Sequence, residues 1–149
     1  MIEIHPIMEN KKQYLELLLL ADEQEDMVDK YLERGEMFVL MDGKARTVAV
    51  ITEESQDICE IKNIATVPNA QRKGYGRKML MFLFEHYRSR YQKMLVGTGD
   101  VPSAIGFYKA CGFTDSHRVP HFFTRNYRHP IIEEGILLDD MVYLQRDLY

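Results

Sequence analysis

The chain has few cysteines, little excess charge and no long apolar run. Cys59 and Cys111 are the only 2 cysteines among 149 residues. They lack metal-site spacing and are too few for an oxidised framework, so both are expected as reduced core residues. The 19 basic and 23 acidic residues give a formal charge of -4, without the electrostatic footprint of a nucleic-acid binder. The opening MIEIHPIMENKKQYLELLLL places acids and lysines before a short apolar stretch, the wrong order for a signal peptide. No stretch approaches the ~18 to 20 apolar residues that a membrane span requires. Neither nucleic acid nor membrane is therefore expected as a partner, and the cytoplasm is the expected location. Repeats, low-complexity tracts and linkers are also missing, which predicts one domain over residues 1–149.

What is present reads as alternating elements. MIEIHPI suits a short strand, and residues 10–21 and 24–34 suit two helices, with Asn10 as N-cap and Gly35 as C-cap. Apolar runs at 37–41 and 47–52 flank Asp42-Gly43, a hairpin signal. DICEIKNIATV, 57–67, has the β-branched alternation of a third strand, ended by Pro68 and Asn69. From Gly74 to Arg90, Met79, Leu80, Leu83, Phe84 and Tyr87 recur at helical spacing. KMLVGTG, 93–99, predicts another strand, and PSAIGFYKACGF a helix with Pro102 near its start and Gly112 at its end. Strands are expected at 114–119 and near 141–145, separated by the irregular, aromatic HFFTRNYRHPIIEEG. The fold class is α/β or α+β.

The chemistry begins at QRKGYGRKML, 71–80, where two glycines interrupt the start of a helix. A dinucleotide G-x-G-x-x-G fails at Met79, and no G-x-x-x-x-G-K-[ST] loop exists. A strand, a short turn and a glycine-bearing helix start remain, with free amides and the basic residues Arg72, Lys73, Arg77 and Lys78 suited to a phosphate. A solvated basic helix start fits the stretch as well.

A second motif decides between them. Gln71-Arg72-Lys73-Gly74-Tyr75-Gly76 resembles the Q/R-x-x-G-x-G/A motif of the GCN5-related N-acetyltransferases. Ala104 to Phe113, AIGFYKACGF, resembles their A-x-x-x-Y-x-x-x-G-F helix, in family order and with a strand between. The resemblance covers roughly residues 36–119. It implies a mixed, mostly antiparallel sheet flanked by helices and an acetyl-CoA donor lying in a splay between two parallel strands. It also implies donor contacts from Ile64, Ala65, Thr66 and Val67 on the strand, and from Gln71, Arg72, Lys73, Gly74, Tyr75, Gly76 and Arg77 around the pyrophosphate. Many family members carry asparagine where this chain has Val101, so Ser103 is the expected substitute.

The implied reaction is direct attack of a neutral amine on the thioester, needing a base, an oxyanion stabiliser and an acid. Tyr108 matches the family tyrosine near the sulfur and is the expected acid. Glu60 has the spacing of the family's glutamate base, and alternation puts it on the face of Lys62, Ile64 and Thr66 unless a bulge intervenes. His117, His121 and His129 are alternative bases. No metal is expected. The acceptor is a small-molecule or peptide amine, which acids at 22–26 and around Glu133, Glu134, Asp139 and Asp140 would steer. An exposed sheet edge or the C-terminal strand leaves room for a homodimer. The competing expectation is a non-catalytic acyl-CoA-binding or regulatory module of the same fold.

Overall fold

The computed structural model describes residues 1–149. The two central apolar runs form β2 (Glu36–Asp42) and β3 (Lys44–Glu53), turning at Gly43. Both strands are buried on both faces. Phe38, Leu40, Ala49 and Ile51 face one core cluster, while Met37, Val39, Val48 and Val50 face another. That explains their unbroken hydrophobicity, because a sheet covered on both sides has no face to leave polar.

β1 (Ile2–Ile7) lies outside β2, and β4 (Ile58–Thr66) inside β3. The other strands are β5 (Lys93–Gly99), β6 (Thr114–Val119) and β9 (Met141–Asp147), in the sheet order β1-β2-β3-β4-β5-β9-β6. Only β4 and β5 run parallel. Their pairing stops at Ile61 and Val96, and beyond it β4 stays with β3 while β5 stays with β9. A gap therefore opens inside the sheet.

α3 (Tyr75–Tyr87) and α4 (Pro102–Ala110) cover the first core cluster. The positions predicted from helical spacing, Met79, Leu80, Leu83, Phe84 and Tyr87, are all buried. Each large apolar side chain contributes roughly 1.5–3 kcal/mol of burial, which outweighs two glycines near the helix start. Cys59 and Cys111 are free and buried, as expected. No helix is long and apolar enough to cross a membrane.

The amino-terminal helices cover the second cluster and depart from expectation. Asn10 is left-handed, with φ 50°, and its side chain caps nothing. A short 3-10 turn, Lys11–Tyr14, precedes α1 (Leu15–Ala21). α2 is only Glu25–Val28, followed by turns. After Val28 the bonds tighten to three-residue turns, Lys30 N–H to Met27 O and Tyr31 N–H to Val28 O, and buried Lys11 caps the far end of the segment, its Nζ donating to the carbonyls of Gly35 at 2.7 Å and Leu32 at 2.9 Å. Gly35 is not a left-handed cap; a Cβ there would sit 2.6 Å from Val50 Cγ1, so helix-to-sheet approach requires the glycine.

The region expected to be irregular contains α5 (Phe122–Asn126) and a hairpin of β7 (Ile132–Glu133) and β8 (Ile136–Leu137). Its two-residue turn has φ 51° at Glu134 and 77° at Gly135, the signs of a type I′ turn.

Candidate active site

The gap between β4 and β5 continues into a cavity of about 560 Å³ bounded by the end of β4, the start of α3, and α4. At its base the chain leaves β4 through Pro68–Ala70 and enters α3 by way of left-handed Arg72 (φ 65°) and Gly74 (φ 84°). No backbone or side-chain acceptor in the protein takes the amides of residues 72–77, and the first helical bond runs from Lys78 N–H to Gly74 O. A helix start with free donors and nearby arginines is an anion site in chemical terms. Gly74, Tyr75, Gly76, Arg72 and Arg77 all line the cavity.

Ile64, Thr66 and Gln71 share this wall. The Val67 N–H donates to Arg46 O across to β3. Strand alternation then directs the backbone groups of Ile64 and Thr66 into the gap and those of Ala65 away from it. Thr66 O accepts a bond from Gln71 Nε2 at 3.2 Å. Ala65 is buried in the other core cluster, and neither Val67 nor Lys73 lines the cavity. Tyr75 commits its hydroxyl to Asp42 at 2.6 Å, so it offers the cavity its amide rather than its phenol. Ser103 reaches the wall, but its hydroxyl donates to the Glu134 carboxylate at 2.8 Å.

Two further chambers, about 210 and 270 Å³, lie towards α1, α2 and α5. Ile64, Tyr108 and Glu133 wall both the large cavity and the nearer chamber. Tyr108 thus stands at the junction. Its hydroxyl makes no hydrogen bond in the protein, and burial raises its pKa, so it stays protonated at neutral pH. Asp22 sits in both smaller chambers, accepting from Tyr127 at 2.6 Å and Tyr31 at 2.9 Å. Burial raises its carboxyl pKa against those two hydrogen bonds. Asn63 donates to Tyr31 and to Leu18 O, leaving its Oδ1 without a partner.

Glu60 does not share a face with Ile64 and Thr66. Val50 pairs with Asn63 but Ile51 with Ile61, so Lys62 is an extra residue that reverses the alternation along β4. Glu60 lies in the farther chamber, 3.0 Å from Lys62 Nζ and 3.3 Å from the Tyr143 hydroxyl, and does not line the large cavity. None of His117, His121 and His129 lines these spaces. His117 stacks on Tyr143 at 4.7 Å, and His121 pairs with Asp139 at 2.9 Å. With Asp140 that pair forms the one His/Asp cluster compact enough for a cation, although its atoms also bond Thr124 and Arg118 and pin the α5 segment.

In the sequence, Glu133 and Asp22 stand out only as members of acidic clusters. The usable signal for Glu133 was IIEEGIL, apolar pairs flanking Glu-Gly, which as a hairpin would have isolated it on a two-residue strand.

The acetyltransferase (GNAT) domain model matches residues 33–115. An uncharacterized N-acetyltransferase of Bacillus subtilis (strain 168), YvbK, is 35% identical over 143 residues, covering 94% of this chain and 92% of its own length. A GNAT family acetyltransferase from Elizabethkingia anophelis, solved with acetyl-CoA bound, superposes with a TM-score of 0.94 at 31% identity, covering 98% of this chain and 97% of its own. A Bacillus subtilis acetyltransferase in complex with CoA gives 0.92 at 34% identity, with 100% of both chains covered.

Proposed function

The chain belongs to the GNAT acetyltransferase family, and from that premise we propose that it moves the acetyl group of acetyl-CoA to a primary amine by direct attack on the thioester. The carrying observation is one continuous cleft, running from the unpartnered amides of residues 72–77 to the unpartnered hydroxyl of Tyr108. The amides, with Arg72 and Arg77, suit the donor's pyrophosphate. The unpaired edge of β4 at Ile64 and Thr66 suits the amides of pantetheine, which add to a strand edge as a peptide does.

Tyr108 then lies where the thiolate leaves. Kept protonated by burial, it donates to the departing sulfur. The acceptor, a small-molecule or peptide amine, enters through the chambers beside Asp22 and Tyr127, where a carboxylate and aromatic faces suit an ammonium group.

Two measurements on one sample test this reading. Calorimetry follows acetyl-CoA binding, and thiol release is followed with benzylamine, spermidine and Nα-acetyl-lysine as acceptors. Binding with amine-dependent thiol release is expected. Binding without release from any amine would favour a non-catalytic acyl-CoA module, and no binding would sink both.

A further inference from the structure

We propose that Glu133 is the general base that takes the proton from the incoming ammonium group. The inference rests on the transferase reading above. Asp22, Glu60 and Glu133 are the carboxylates that wall the two acceptor chambers. Asp22 has both oxygens occupied by phenols, and Glu60 is held by Lys62 and Tyr143. Glu133 makes no side-chain hydrogen bond or ion pair, and among the three it alone also borders the donor cleft, beside Tyr108. It is the carboxylate with no side-chain partner where the two substrates meet.

Its backbone is held while its side chain is free. The hairpin closes through the Glu133–Ile136 pair and through Leu138 N–H to Ile131 O at 2.8 Å. Ser103 Oγ then bonds both carboxylate oxygens of Glu134, at 2.8 and 2.9 Å, fastening the hairpin tip to α4. This bond helps hold Glu134 in a left-handed conformation that a non-glycine residue otherwise resists. The charged and titratable groups facing the spaces that Glu133 borders are Glu134 on its own hairpin, Tyr108 on α4, Asp22 and Glu23 after α1, Tyr127 after α5, Lys62 on β4, and Arg72, Tyr75 and Arg77 at the start of α3. Burial first, then the charges of Glu23 and Glu134, raise its pKa, which makes it a stronger base than an exposed carboxylate.

The proton balance is complete. Glu133 takes one proton from R–NH3⁺, and the nitrogen lone pair forms the C–N bond. The C–S bond breaks as Tyr108 protonates the sulfur, and the second nitrogen proton restores the Tyr108 hydroxyl. Glu133 releases its proton to water, so one proton leaves per acetyl group transferred.

The test measures kcat/KM against pH for wild type, Glu133→Gln, Glu133→Asp and Glu60→Gln, using whichever of the three amines the wild type accepts, with acetyl-CoA affinity as the check on folding. Glu133→Gln should lose about 100-fold or more at neutral pH. The acid limb of the wild-type profile, lying above the ordinary carboxylate range, should vanish in Glu133→Gln and persist in Glu133→Asp. Acetyl-CoA should bind all four proteins alike. Retention of activity within about threefold by Glu133→Gln, well short of the loss expected for a general base, would overturn the assignment. So would a limb that disappears in Glu60→Gln instead. A wild type that binds acetyl-CoA but turns over no amine would overturn the transferase reading, and the assignment with it.

Discussion

Tyr108 holds its hydroxyl at the junction of the proposed donor cleft and acceptor chambers, bonded to nothing in the protein. Removing that oxygen breaks no internal contact, so Tyr108→Phe should lower kcat by about 100-fold while leaving the melting temperature and acetyl-CoA affinity unchanged. A purely structural tyrosine would show the reverse pattern. Asp22 makes a different prediction because burial raises its pKa. Over the window from its unfolded value, about 3.9, up to its higher folded value, the folded state holds more proton than the unfolded chain. Stability contributed by this group is therefore greatest at low pH and falls as pH rises through the window. Asp22→Asn removes that fall, and urea denaturation from pH 4 to 7 should show a less negative slope for the variant. Tyr108 was legible from its motif, whereas the environment of Asp22 was not, since its partners Tyr31 and Tyr127 come from distant parts of the chain.

Elements with strong local patterns were the legible ones. α3 announced itself through spaced apolar residues, and the β2–β3 hairpin through Asp42-Gly43. The β7–β8 hairpin was missed because its left-handed turn uses glutamate at the first position, where asparagine, aspartate or glycine is the usual signal. The predicted second helix shortened to α2 because the chain tightens into three-residue turns after Val28, and Lys11, remote in sequence, holds the carbonyls at the far end of that segment. Lys11→Met keeps the aliphatic stem but leaves the carbonyls of Leu32 and Gly35 without a donor. At about 1–3 kcal/mol for each buried unsatisfied group, the variant should lose roughly 2–6 kcal/mol, measurable by urea unfolding, with the β-sheet circular dichroism retained.

The whole molecule is a sheet with an unfinished middle. Where β4 and β5 part, backbone groups of β4 lack a strand partner, and six amides wait at the foot of the gap. A donor that bonds these groups binds the folded chain alone, so acetyl-CoA at a hundred times its Kd should add about 2.7 kcal/mol of stability. In a domain of this size that raises the melting temperature by roughly 5–10 °C. A calorimetric scan with and without ligand checks it, and an unmoved transition would mean that the cleft is not the donor site.

The proposed donor side is legible in the sequence alone. Free amides at a helix start need only a few consecutive residues with the right turn geometry, and QRKGYG followed by AIGFYKACGF carries that information locally. The acceptor side was decided by tertiary structure. One extra residue at Lys62 reverses which face of β4 presents Glu60. A hairpin some seventy positions later brings Glu133 to the junction instead. Which carboxylate would meet the amine in the proposed reaction depends on a face reversal and a long-range approach, and neither is written in the spacing of neighbouring residues.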